Sequence, residues 1–177
     1  MKKFVVIAGV LCAGVIALGY GNVQADGFSR SRSVHSNAAG GVTGKSSESV
    51  NGPNGGAAGR TRGFATDGEG NAVGGSKGAF TTPSGARGGR AGFTTRSADG
   101  TVNHQSGAAF NGNNATGNTS SSFTRDSDGT ASGSRNTNIE SKNSDASYQG
   151  STTYNSTDGL QHSGTCTNAN GETVSCK

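Results

Sequence analysis

Large apolar residues return about every 30 residues along a chain that is otherwise polar and glycine-rich. Val34, Phe64, Phe93, Phe123 and Tyr154 form one series, with steps of 30, 29, 30 and 31. Val50, Phe80, Phe110 and Ile139 form a second, with steps of 30, 30 and 29. Asp-Gly pairs keep the same beat at Asp67-Gly68, Asp99-Gly100, Asp128-Gly129 and Asp158-Gly159. A period in this range marks a repeat architecture, whose units bury their faces only against neighbours.

Within a unit the large residues fall 16 or 17 apart and then 13 to 15 apart, with turn-forming Asp-Gly or Asn-Gly pairs between them. Glycine and Asp or Asn tolerate the positive φ of tight turns. A helix is excluded, because no apolar residues recur at i, i+3, i+4 and i+7 and glycine is everywhere. The pattern predicts an all-β fold with two short strands per unit, either a β-solenoid or an antiparallel β-meander of ~30-residue repeats, with room for substantial disorder. Both arrangements would set like residues of successive units in a ladder on one face, Phe93 beside Phe123 among them. Four units are expected at 34–63, 64–92, 93–122 and 123–153, after a polar lead-in at 26–33. A partial fifth unit occupies 154–177.

Residues 1–25 are expected to be a secretory signal peptide. Lys2 and Lys3 precede the 15-residue apolar run Phe4–Leu18, and Val23-Gln24-Ala25 suits cleavage before Asp26. The run is short for a spanning helix, which needs about 20 residues, so no membrane span is expected after its removal. The 152 residues that remain carry 13 basic and 11 acidic groups, unevenly placed: residues 26–100 have a net charge of +4 and 101–177 of −2. Such a gradient suits head-to-tail association and falls short of a strong polyanion-binding field. Only 16 of these residues are Val, Leu, Ile, Phe or Tyr, with no Trp or Met, too few for a conventional core.

Cys166 and Cys176 are the two cysteines beyond the signal, an even pair for an oxidising compartment. They are expected to form a disulfide across a hairpin turning at Asn170-Gly171. A two-residue turn would leave them one step out of register, so a bulge or three-residue loop is expected. Chemistry is otherwise sparse. His35, His104 and His162 lack metal-ligand or triad spacing, and no Gly-x-Ser-x-Gly elbow occurs. The Asp-Gly turns lack the Gly-Gly-x-Gly-x-Asp pattern of calcium-binding β-rolls. No catalytic residue, cofactor or metal is expected.

The function these features predict is that of an exported structural repeat protein of the cell surface, periplasm, biofilm or extracellular matrix, one that self-associates. Two rivals share the composition: a secreted disordered protective or antimicrobial protein, and a surface module for glycan, polyanion or ice. The Arg60-Thr-Arg62-Gly63 and Arg87-Gly-Gly-Arg90 stretches resemble basic segments that track polyanions. Export turns that partner class towards polysaccharide or another extracellular polyanion and away from intracellular nucleic acid.

Overall fold

The computed structural model describes residues 27–176. They form one open sheet of eleven antiparallel strands in strict chain order, a meander rather than a solenoid. The strands are β1 (Gly27–Ser36), β2 (Val42–Asn51), β3 (Ala57–Thr66), β4 (Ala72–Thr81), β5 (Arg87–Arg96), β6 (Val102–Asn111), β7 (Ala115–Arg125), β8 (Ala131–Ser141), β9 (Ser147–Asn155), β10 (Gly159–Thr167) and β11 (Thr173–Val174). Each repeat unit is therefore a pair of strands, and β1 to β6 begin at even intervals of half a repeat. The signal peptide lies outside the described residues. The stretch expected as a polar lead-in is not one: most of it belongs to β1, which pairs with β2 from Gly27↔Asn51 to Ser36↔Val42. Its Ser/Arg alternation hides a strand, because the side that a core would mark with apolar residues carries arginines instead.

Five-residue loops set the period. In the loop Asn37–Gly41 the Asn37 N–H donates to the Gly41 carbonyl at 2.9 Å and the Gly40 N–H to the Asn37 carbonyl at 3.2 Å. The same pair of bonds recurs in the loops starting at Gly52, Thr82, Ser97, Asp126 and Asn168. Each has glycine fourth, in the left-handed region, with φ of 77° at Gly40, 82° at Gly55, 85° at Gly85, 94° at Gly100, 92° at Gly129 and 81° at Gly171. This is a four-residue turn followed by a bulge, a common hairpin closure. Pro53 and Pro83 occupy the second loop position, where the fixed φ of proline suits the turn. Three of the Asp-Gly pairs thus lie inside longer loops and are not two-residue turns, while Asp158-Gly159 closes the short loop Ser156–Asp158. The loops starting at Asn37, Gly52, Thr82 and Asn168, which have no Asp-Gly pair, close in the same manner as those starting at Ser97 and Asp126, which have one.

The described residues form no hydrophobic core. Among the described residues no large side chain is buried, and only Gly41, Gly44 and Gly117 fall in the buried class. The sheet is a single layer, held by its backbone ladders and by contacts between side chains on adjacent strands. No described helix is long and apolar enough to cross a membrane.

Candidate functional surface

Directly paired residues share a face of the sheet, so the strand registers sort every side chain to one side or the other. On one side a row crosses the strands through Phe28, Val50, Ala58, Phe80, Gly88, Phe110, Gly117, Ile139, Tyr148 and Cys166. A parallel row on the same side runs through Val34, Gly44, Phe64, Gly74, Thr94, His104, Phe123, Gly133, Tyr154 and Leu160. We call this side the aromatic face. The opposite side is dominated by Ser, Thr, Asn, Gln, Gly and Ala, and we call it the hydroxyl face.

The expected ladder is partly assembled. Val50, Phe80, Phe110 and Ile139 share the first row, on β2, β4, β6 and β8. Val34, Phe64, Phe123 and Tyr154 share the second, on β1, β3, β7 and β9. Members of one series are two or more strands apart, so they alternate with intervening residues and do not stack on one another. Phe93 leaves the series altogether. It pairs with Gly75 and Gln105 and stands on the hydroxyl face, while Thr94 takes its place in the row. The reason is arithmetic: the step from Phe64 to Phe93 is one short of two strand periods, and a shift by one reverses the face. The hairpin around Gly112–Asn114 is then one position shorter in register than the five before it, which returns Phe123 to the aromatic face.

Glycine makes the aromatic rows fit. Phe64 lies over Gly44, Phe80 over Gly88 and Phe110 over Gly117, each ring filling the place where a Cβ on the adjacent strand would stand. At Gly88 that Cβ would be 2.6 Å from Cε1 of Phe80. The rings therefore lie down across the neighbouring strand, the arrangement in which an aromatic covers a sheet glycine. They remain half exposed, at 47% for Phe64, 43% for Phe80 and 39% for Phe110.

Arginine and lysine separate by face. Eight of the nine arginines (Arg30, Arg32, Arg60, Arg62, Arg90, Arg96, Arg125 and Arg135) stand on the aromatic face, and Arg87 alone on the other. Lys45 and Lys77 belong to the hydroxyl face. Six of the eight form a band between the two apolar rows: Arg30, Arg60 and Arg90 along one line, and Arg32, Arg62 and Arg135 along the next. Glu48 is the one acid on this face among the described strands, between Arg30 and Arg60, and its carboxylate is 3.4 Å from Arg30 Nε. Arg135 Nε donates to Thr119 Oγ1 at 3.2 Å. The Nε of Arg60 is shielded from solvent and has no acceptor. A shallow trough of about 590 Å³ opens beside these groups, lined by Arg60, Phe80, Arg90, Phe110, Arg135 and Ile139 among others.

Elsewhere the polar groups serve the sheet. Cross-strand hydroxyl pairs join Ser47 to Thr61 at 3.2 Å, Ser106 to Ser121 at 2.7 Å and Ser122 to Ser134 at 3.0 Å. His104 Nδ1 is 2.8 Å from Thr94 Oγ1, and His162 Nδ1 is 2.8 Å from Thr152 Oγ1, so both rings are tied to a threonine on the adjacent strand. His35 lies on the hydroxyl face of β1. No group of three or more metal-ligating side chains occurs among the described residues.

The Asp-Gly residues work in the loops. Asp67 Oδ1 accepts from the N–H groups of Glu69 at 2.8 Å and Asn71 at 3.0 Å. Its carboxyl is held below the ordinary value first by the Asn71 side chain and then by the Glu69 N–H. Asp128 is lowered likewise, chiefly by the N–H of Thr130 at 2.8 Å. Asp99 accepts from the Thr101 N–H at 2.9 Å, and Asp158 from Asn155 Nδ2 at 2.9 Å. Gly68, Gly100, Gly129 and Gly159 all take positive φ.

At the far edge Cys166 and Cys176 are bonded, with Cα atoms 5.3 Å apart. The hairpin turns through Asn168–Glu172, with Gly171 in the left-handed region, and pairs Cys166 with Val174. The cysteines are therefore not opposite each other, as the sequence suggested. The longer loop moves the register past them, and the bond closes diagonally to a residue two beyond β11. Sequence reasoning placed the turns and most of the apolar rows and named the Arg60–Arg62 and Arg87–Arg90 stretches, but missed their assembly into a band on one face, whose signal is the even spacing of Arg30, Arg32, Arg60, Arg62 and Arg90 within strands of alternating faces. No protein-family model, curated protein or solved structure matches the chain.

Proposed function

We propose that this is an exported structural repeat protein, a cell-surface, biofilm or extracellular-matrix component whose copies join edge to edge. The observation that carries the reading is the uncovered single layer with a full-length open edge. β1 is exposed along all ten residues, and its outer side offers a row of unpaired backbone groups. At the other end β11 covers only Cys166 and Thr167 of β10, leaving Gly159–Thr165 open. β1 of one copy and β10 of the next are of similar length, and pairing them repeats the existing ladder. Because the two edges differ, the contact is head-to-tail, and repeated without a closing rotation it yields sheets or fibres. The basic first half and acidic second half of the chain favour the same polarity.

The test is a proline placed at the edge. The Asn37 N–H points to β2, so by strand alternation the Val34 N–H points out to the open side. Val34→Pro removes one outward donor and leaves the donors to β2 in place. Wild-type protein is expected to form concentration-dependent assemblies with a strand repeat of about 4.7–4.8 Å in diffraction. The variant should lose about 1 kcal/mol per added copy, or roughly fivefold in the critical concentration, as for one missing hydrogen bond. Wild-type chains that stay monomeric at high concentration would overturn the reading.

A further inference from the structure

We infer that the aromatic face binds single-stranded nucleic acid, with the phosphate chain along the arginine band and the bases on the flanking aromatic rows. This site is independent of the strand edges proposed for assembly. The face carries eight arginines against one carboxylate, Glu48, while Lys45 and Lys77 stand on the opposite face. Guanidinium groups engage phosphate oxygens in pairs and stack on planar rings, which ammonium groups do not, so the separation selects a ligand with both features. The rings of Phe64, Phe80 and Phe110 lie over glycines of the adjacent strands and are 39–47% exposed, so part of each ring surface is open to a stacking partner. Stacking platforms beside a basic track are the arrangement by which proteins hold single strands.

Spacing selects the polymer. Arg62 and Phe64, like Arg30 and Phe28, are two positions apart on one strand and on one face, a separation of about 6.8 Å. A nucleotide keeps its phosphate a sugar's length from its base, so charge and flat ring reach two such positions at once. An acidic sugar carries its carboxylate on the ring itself and would need the cation beside the aromatic. Two copies of this face would oppose seven net positive charges with seven, so a second copy of the chain is a poor occupant.

The test uses the secreted chain and a fluorescent single-stranded DNA of about 15 nucleotides, a length within the site sizes of such surfaces. Anisotropy titrations over a range of salt should show binding whose logarithm falls linearly with log salt. Arg60→Ser/Arg62→Ser should weaken binding at least tenfold and flatten the slope by about 1.4, at roughly 0.7 for each phosphate no longer neutralised. Phe80→Leu and Phe110→Leu should each weaken it about fivefold or more with the slope unchanged. Lys45→Ser/Lys77→Ser, which removes the same charge from the other face, should change affinity by less than about twofold, being remote from the bound strand. Should the first arginine pair lose its far-UV strand signal, Arg90→Ser/Arg135→Ser reads the same quantity on other strands. Equal losses from the lysine and arginine pairs would overturn the assignment. So would preferential displacement of the probe by a polyuronate at equal charge concentration, or equal affinity for duplex DNA.

Discussion

At the residue scale, glycine has two unlike tasks. In the loops it takes positive φ, as at Gly100 and Gly129. In the strands it yields space to a ring on the next strand, as Gly88 does for Phe80. Gly88→Ala should therefore destabilise the sheet by about 1 kcal/mol, the cost of overpacking less the gain from a stiffer unfolded chain. Gly63→Ala, whose new Cβ would meet only the Gly44 carbonyl at 3.5 Å, should be neutral or stabilising by up to about 1 kcal/mol. Denaturant midpoints of the two variants decide this, and equal effects would remove the ring-on-glycine account. The loop carboxylates set the acid limit. Asp67 and Asp128 have folded values below the ordinary 3.8, so their contribution is fully present above 3.8 and is lost as pH falls through the lowered values. Asp67→Asn/Asp128→Asn should make stability less sensitive to pH below about 4, followed by circular dichroism. An unchanged acid profile would show that these turns do not contribute.

At the element scale the loops and their hairpins decide which face a residue occupies. Eight five-residue loops hold the beat, and three-residue loops at Gly112–Asn114 and Ser156–Asp158 shorten it. Phe93 is the residue that shows the consequence, because it keeps the repeat spacing to Phe123 and yet stands on the other side. Phe93→Ser should cost about 1–2 kcal/mol, a little over half the value of full burial for a ring that is 41% exposed. It should also leave the aromatic face unaltered, so that single-stranded DNA binding stays at the wild-type level in the same anisotropy titration. The repeat, the two strands per unit and the turn glycines were legible in the sequence, since duplication preserves spacing and positive φ demands glycine. The facing of Phe93 was not, because one position more or less reverses a face, and the repeat is kept only to within one position. β1 was hidden for a related reason: its Ser/Arg alternation carries a strand's period without a strand's apolar residues.

At the scale of the whole molecule the two ends of the sheet are unlike. β1 is open, whereas β10 is shielded at one end by a two-residue strand held through Cys166–Cys176. Truncation after Thr167, which removes β11 and leaves β10 whole, or reduction of the disulfide, should uncover the rest of β10 and shorten the lag before assembly. The signal is turbidity or dye binding against time, and an unchanged lag would show that β11 is no cap. The sequence predicted the disulfide from cysteine number and expected compartment alone. It missed the diagonal closure, because register across a bulged loop follows from backbone geometry that a residue count does not carry.

The regular loops have a consequence for how such a chain changes size. β1 to β6 begin at even intervals, and each strand touches only its two neighbours. Duplicating a two-strand segment such as 57–86 inserts two strands and widens the sheet by about 9.6 Å, twice the strand spacing. Every face assignment downstream is kept, since an even number of residues and of strands has been added. Deletion of the same segment narrows it by as much. Unequal recombination between units can thus alter the span of the molecule in fixed increments, without a single side chain changing the face on which it stands.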